Sequence, residues 1–177
     1  FLLVLIATVM HAVWNAMVKK HPDKVVAVSG IVFGHVPCCL IAIILLPAPS
    51  IECLPYIIAS VFIHQGYQWF LLSSYQIGDF TKVYPIARGT GPLVATIISI
   101  LFLSLVLDNL IILSILFLCF GILILGIFDK ASKNNSKIIQ YSLFTGFFIG
   151  LYSLVDGYGA RVSLSAISYI SWSFLLN

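Results

Sequence analysis

The sequence predicts an all-α protein, a polytopic bundle of transmembrane helices, and three observations lead there. Hydrophobic residues make up 61% of the chain and charged residues only 8%, whereas a soluble domain carries about 25% charged residues. Mean hydropathy is +1.12. The apolar residues fall into runs of about 20, the length that crosses roughly 30 Å of hydrocarbon.

Six such spans and part of a seventh are expected, at residues 1–18, 25–46, 54–75, 81–107, 110–128, 139–159 and from 165 onward. Breakers separate them: KKHPDK at 19–24, LPAPSIECLP at 46–55, QIGD at 76–79, DN at 108–109 and DKASKNNSK at 129–137. Connections this short make neighbouring helices antiparallel. Residues 1–18 lack a basic leading region and a small-residue cleavage site, so they read as a first span rather than a signal peptide. The chain opens on Phe1 and closes inside an apolar run at Asn177, so both ends read as cuts.

Nine Lys and Arg stand against six Asp and Glu, a net charge of +3. Their placement carries more information than their number. The first, third and fifth connections hold Lys19, Lys20, Lys24, Lys82, Lys130, Lys133 and Lys137, while the second and fourth hold no basic residue. Lys and Arg collect on the cytoplasmic side of a membrane. That rule puts the odd connections in the cytoplasm and Phe1 outside. No clustered basic face of the kind that binds nucleic acid exists. Cys38, Cys39, Cys53 and Cys119 have no metal or redox spacing and mostly sit in apolar runs, as small buried hydrophobes do.

An internal repeat shapes the expected fold. HAVWNAMVKK at 11–20 and YSLVDGYGAR at 152–161 share one pattern, pairing His11 with Tyr152, Asn15 with Asp156 and Lys20 with Arg161 at a constant offset of 141 residues. Five spans separate the copies, and an odd number inverts the second relative to the first, the plan of many secondary transporters. Residues 1–137 then form a first five-helix repeat and 138–177 the beginning of a second, truncated here, of an expected ten spans.

Polar residues inside the spans are the candidates for function. In the fourth span, Tyr84, Arg88, Gly91, Ala95 and Ser99 recur at three- and four-residue steps and form one helical stripe. An arginine in such a helix opposes insertion by roughly 2.5–3.5 kcal/mol. Arg88 therefore faces protein, water or a solute, or else snorkels to the interface as an anchor. Pro85 and Pro92 bracket it, and each removes a backbone donor, which predicts a loosened helix start.

The third span carries His64, Gln68, Leu71 and Tyr75 on one stripe, with Gln65 and Tyr67 beside it. Polar groups out of water need partners, so these line a cavity or bond between helices. The first span offers His11 and Asn15 one turn apart, and the sixth offers Tyr152 and Asp156 in the matching places. Asp156 is the one acid well inside a span, where an ionisable group is a functional hypothesis by default. A desolvated carboxyl there suits a gating or proton-linked role. Pairing with Arg161 is the structural alternative, though five residues is poor spacing along one helix. His35, before Pro37, reads as a packing residue. No HExxH, GxSxG or Walker-type loop appears, so an enzyme is not expected.

HAVWNAMVK in the first span, GDFTKVYPIARGTGPL across the third connection, and YSLVDGYGAR in the sixth span resemble the EamA-like branch of the drug/metabolite transporter superfamily. The resemblance runs in order over essentially the whole chain, with YPIARG after GD its most specific piece. It implies ten helices in two inverted five-helix repeats, with a substrate pathway between them. Members mostly export amino acids and other small metabolites, as exchangers or driven by ion gradients. Two departures stand out. A Gly-Glu pair common near the end of the fourth span is missing, and LSLVLDN offers only Asp108. Relatives are also drawn with a cytoplasmic N-terminus, the reverse of what the lysines indicate.

Together these readings lead to a secondary transporter, an exporter or exchanger of small polar metabolites such as amino acids, multi-pass in the cytoplasmic membrane. Its pathway residues would be Tyr84, Arg88, His64, Gln68, Tyr75, His11, Asn15, Tyr152 and Asp156. The expected partners are a small-molecule solute, the lipid bilayer, a coupling proton and a second copy of the chain as a homodimer, with no nucleic acid, cofactor or metal. A lipid or lipid-linked carrier flippase on the same plan is the first alternative, and a structural membrane subunit without a pathway the second. The orientation has a direct test. In a background free of the four native cysteines, a cysteine introduced as Lys133→Cys is expected to react with an impermeant thiol reagent from the cytoplasmic side only. Labelling from outside overturns the lysine-based topology.

Overall fold

The computed structural model describes residues 2, 5–7, 9–10, 13, 17, 20–103, 106–128 and 135–177. The described positions of 2–17 are helical. They are followed by α1 (Lys24–Gly34), α2 (Val36–Leu45), a 3-10 turn (Ile51–Cys53), α3 (Leu54–Ile77), α4 (Phe80–Leu103), α5 (Asn109–Phe128), α6 (Asn135–Val162) and α7 (Ala166–Leu176). No strand occurs among the described residues. The all-helical class follows from the sequence pattern, since an apolar run of about 20 residues satisfies its own backbone only as a helix.

Local chemistry sets the boundaries. Asp23 caps α1 by accepting from Val25 N at 2.8 Å and Val26 N at 3.2 Å. The apolar segment of 25–46 is divided at His35, where Pro37 in the first turn of α2 has no N–H to continue the ladder. Ser165 caps α7 through Ser168 N at 3.3 Å. The Ser168 hydroxyl donates to Pro47 O at 2.7 Å, tying α7 to the connection after α2. By contrast, α4 runs unbroken through Pro85 and Pro92, so the expected loosening of its start does not occur. The freed carbonyls are those of Thr81 and Arg88, four residues back.

Three of the described segments are long and apolar enough to cross a membrane: Val25–Leu45, Phe80–Leu103 and Ser136–Val162. Helix α3 has the length, at 24 residues, but His64, Gln65, Gln68 and Gln76 dilute its hydropathy. Large apolar side chains face outward throughout: Phe33 on α1, Ile44 on α2, Phe62 on α3, Phe102 on α4 and Phe117 on α5 are all exposed. The fully buried side chains instead include Ser60, Ser74, Ser142, Thr145, Ser168 and Ser173. Ile86, Ile138, Val83 and Tyr169 are fully buried as well, so it is the extent of the apolar exterior that departs from a protein folded in water. Three of these hydroxyls, of Ser74, Ser142 and Thr145, bond a carbonyl of their own helix at 2.7 Å, as the buried Thr90 does to Ile86 O. Each then needs nothing from a neighbouring helix.

Helix α6, about 42 Å long at 1.5 Å per residue, lies between α3 and α4, which barely touch each other. Its contact with α4 is made backbone to backbone. A Cβ on Gly146 would strike Thr90 Cβ and lie 2.7 Å from Ala87 O, and one on Gly150 would lie 2.9 Å from Gly91 O. Residue numbers rise together along this contact, so α4 and α6 are parallel. Against α3 they run in opposite senses: Phe70 stacks on Phe144 at 5.0 Å and Phe148 at 5.6 Å, while Tyr56 meets Tyr158 at 5.3 Å. Helix α7 closes on α2 and α3, and α5 rests on α4.

The glycine contact is testable. Gly146→Val is expected to force α4 and α6 apart and cost about 1–3 kcal/mol, read as a lower thermal unfolding midpoint in detergent. Gly157→Ala, on the same helix with nothing within 4 Å of its new methyl, is expected to be neutral or to stabilise by up to about 1 kcal/mol.

Candidate functional site

Four helices each bring a pair of polar residues spaced four apart, so that both members share one helical face. These are Ser60 and His64 on α3, Tyr84 and Arg88 on α4, Tyr152 and Asp156 on α6, and Tyr169 and Ser173 on α7. On α6 the same stripe begins with Phe144 and Phe148, which pack on Phe70. The stripe thus passes from aromatic packing to chemistry within two turns.

His64 is buried, 7% exposed, at the centre of the cluster. Its Nδ1 lies 3.0 Å from Ser60 O and 3.2 Å from Ser60 Oγ. Its Nε2 faces Asp156 Oδ2 at 3.9 Å, an ion-pair distance that is too long for a direct hydrogen bond. Tyr152 stacks on the imidazole with centroids 4.2 Å apart, and Tyr67 meets it edge-on at 6.3 Å. From α7, the Tyr169 hydroxyl donates to Asp156 Oδ1 at 3.1 Å, and the Ser173 hydroxyl donates to Ser60 Oγ at 3.0 Å. The His64–Asp156 contact is an ion pair across two helices, α3 and α6.

Arg88 sits beside this network, partly buried. Its guanidinium carbon is 5.6 Å from the centroid of Tyr84, a cation–π distance. The Tyr152 hydroxyl lies near enough to accept a hydrogen bond from it, and Tyr67 and Tyr75 lie within electrostatic reach. Phe80 bridges Tyr75 and Tyr84, at 5.2 and 5.1 Å. Tyr84 and Tyr152, from two helices, therefore flank a guanidinium for which no described residue provides a carboxylate partner, with Tyr67 and Tyr75 of a third helix farther out. Such a cation presents five donors in a fixed fork, suited to a carboxylate or other oxyanion.

Most of the sequence-predicted site residues meet here. His64, Tyr75, Tyr84, Arg88, Tyr152 and Asp156 converge. Gln68 takes a different position, lining a cavity of about 280 Å³ between α1 and α3 with Gln65, Ser29 and Trp69. Tyr75 also borders a second cavity, of about 600 Å³, with Gln76, Pro22 and Asp23. His11 and Asn15 lie outside the described residues. The partner of Asp156 is not Arg161, which is exposed at the end of α6, but the histidine and tyrosine of two other helices. Tyr169, Ser173 and Ser60 were not singled out in the sequence. Their only signal is the four-residue spacing of Tyr169 and Ser173 in a serine-rich helix. His35 lies apart, its Nε2 3.1 Å from Phe174 O, an orphan carbonyl in the last turn of α7. Among the described residues, no three His, Cys, Asp or Glu side chains converge as metal ligands do.

Comparison with protein-family models, curated proteins and solved structures found no match to this chain.

The Tyr169–Asp156 bond gives a stability prediction. A hydrogen bond to a charged group contributes about 1.5–3 kcal/mol, and Tyr169→Phe is expected to cost that much in a detergent unfolding titration. In an Asp156→Asn background the cost should fall to about 1 kcal/mol, the value for a neutral bond. An equal cost in both backgrounds shows that the two side chains are not coupled.

Proposed function

We propose that this protein is a secondary transporter of small polar metabolites, built as a multi-pass membrane bundle with an inverted repeat and belonging to the EamA-like branch of the drug/metabolite transporters. The observation that carries the reading is Arg88. It is a cation in a helix apolar enough to cross a membrane, flanked by Tyr84 and Tyr152, with no described carboxylate to neutralise it. Such a group is costly in hydrocarbon unless a ligand or water meets it. A solute bearing a carboxylate satisfies the guanidinium, and the tyrosine rings and hydroxyls exclude lipid and orient the bound molecule.

Three further features support this reading. The outward faces of the helices are apolar, as a lipid-exposed surface requires. The polar groups converge from four helices rather than one, which a simple interfacial anchor does not need. The resemblance of HAVWNAMVK, GDFTKVYPIARGTGPL and YSLVDGYGAR to one transporter family agrees with the roles inferred for Arg88, Tyr152 and Asp156. Six spans and a seventh, with the second repeat beginning near residue 138, remain the topology this reading requires.

The test is solute counterflow in proteoliposomes loaded with pooled amino acids and small organic acids. The wild-type protein is expected to exchange a carboxylate-bearing solute. Arg88→Ala should lower that flux at least about tenfold, the loss expected for a charged hydrogen bond of 1.5 kcal/mol or more. Flux that is unchanged by Arg88→Ala removes the residue from the pathway, and wild-type liposomes inert toward the whole pool refute the transporter.

A further inference from the structure

His64 stands between two hydrogen-bond acceptors. On one side is a backbone carbonyl, Ser60 O, 3.0 Å from Nδ1. On the other is a carboxylate, Asp156 Oδ2, 3.9 Å from Nε2. A carbonyl oxygen can only accept, and so can a carboxylate, whereas a neutral imidazole carries a single N–H. Either neutral tautomer therefore turns a lone pair toward one of the two. Only the imidazolium, with a proton on both nitrogens, donates toward both acceptors; with the single proton on Nε2, the bare Nδ1 has the Ser60 hydroxyl, 3.2 Å away and itself accepting from Ser173, as its donor.

We infer that His64 and Asp156 form one proton-binding site, in which a proton taken up from water closes the contact between α3 and α6 and its release opens that contact. In the proton-bound state, Nδ1–H donates to Ser60 O and Nε2–H faces the carboxylate. On release the proton returns to water, and the imidazole keeps the N–H that serves Ser60, because that carbonyl belongs to its own helix and cannot move away. The contact that yields is the one across helices, where the Nε2 lone pair then opposes the Asp156 carboxylate. No covalent bond other than N–H changes.

The surroundings fit a group that must exist in two charge states. Tyr169 on α7 donates to Asp156 Oδ1 at 3.1 Å, so the carboxylate keeps a donor in both states. Tyr152 on α6 stacks on the imidazole at 4.2 Å, a geometry that favours the cation. The other ionisable groups around the pair are Tyr67 on α3, edge-on to the imidazole, and, one residue removed, Arg88 beside Tyr152, Tyr84 near Tyr67, and the Cys53 thiol in the 3-10 turn near Tyr169. Arg88 reaches the pair through Tyr152, whose hydroxyl lies near enough to accept from the guanidinium while its ring stacks on His64. Movement of α6 after proton release therefore displaces the tyrosine that Arg88 uses. If the proposed transport is correct, this is how a proton is exchanged for a change in solute binding, and that role rests on the transport reading. The proton site itself does not.

Nitrogen NMR of histidine-labelled protein in lipid bilayers tests the site directly. His64 is assigned by loss of its signals in His64→Gln, and the two ring nitrogens are followed with pH. Nδ1 is expected to stay protonated throughout while Nε2 titrates. Asp156→Asn should lower the midpoint by about one pH unit or more, the effect of removing an opposite charge at ion-pair distance. Tyr169→Phe, which keeps the ring and removes only the donor to the carboxylate, should raise it. A midpoint unmoved by both substitutions, or an Nδ1 that loses its proton first, overturns the proposal. Because the reading is spectroscopic, it stands or falls whether or not the liposomes transport solute. A pH-sensitive dye inside the same liposomes then asks whether proton movement accompanies flux in wild type and is lost in Asp156→Asn.

Discussion

The bundle depends on the close approach of α4 and α6 at Gly91, Gly146 and Gly150. In surroundings as apolar as the helix faces themselves, helices gain little from hiding hydrophobic side chains, and small residues that let backbones approach become the basis of association. Here the glycines bring Thr90 and the Ala87 carbonyl against the α6 backbone. That contact fixes the axial position of α6. Tyr152, a short step beyond Gly150, is thereby placed beside Arg88. On its other face, α6 presents Phe144, Phe148, Tyr152 and Asp156 to α3, and the stacked rings of Phe70 and Phe148 set that register.

The second constraint is the cost of polar groups away from water. The structure meets it in two ways. Isolated hydroxyls such as those of Thr90, Ser114 and Ser142 bond carbonyls four residues back and make no demand on another helix. The groups that cannot do this, namely His64, Asp156, Arg88 and Tyr169, are collected in one place. Ionisable side chains in such a setting destabilise the fold unless paired, so gathering these four limits the cost to one region.

The arrangement divides into two parts joined by Tyr152. Toward α4, its hydroxyl meets Arg88; toward α3, its ring covers His64. A side chain shared between a guanidinium and a protonatable pair allows the two to sense each other without direct contact. The Arg88 side holds a cation with no described carboxylate partner, and the His64 side holds an acid with two.

The sequence by itself determined the helical class, the positions of most helices and two of the four polar pairs at four-residue spacing, Tyr84 with Arg88 and Tyr152 with Asp156. These follow from local rules: apolar runs must satisfy their own backbone, and a 3.6-residue period places every fourth residue on one face. It also picked out Arg88 and Asp156, because a charge in an apolar run is conspicuous whatever surrounds it. Only the tertiary structure decided which pairs meet. Asp156 pairs with His64 and Tyr169 rather than Arg161, and Gln68 faces α1 instead of joining the residues around Arg88. Tyr169 and Ser173 entered the site unannounced. The physical reason is that periodicity reports angles around one helix axis. It says nothing of the neighbour across the groove or of the axial offset between helices, and here contacts of glycine with backbone set both.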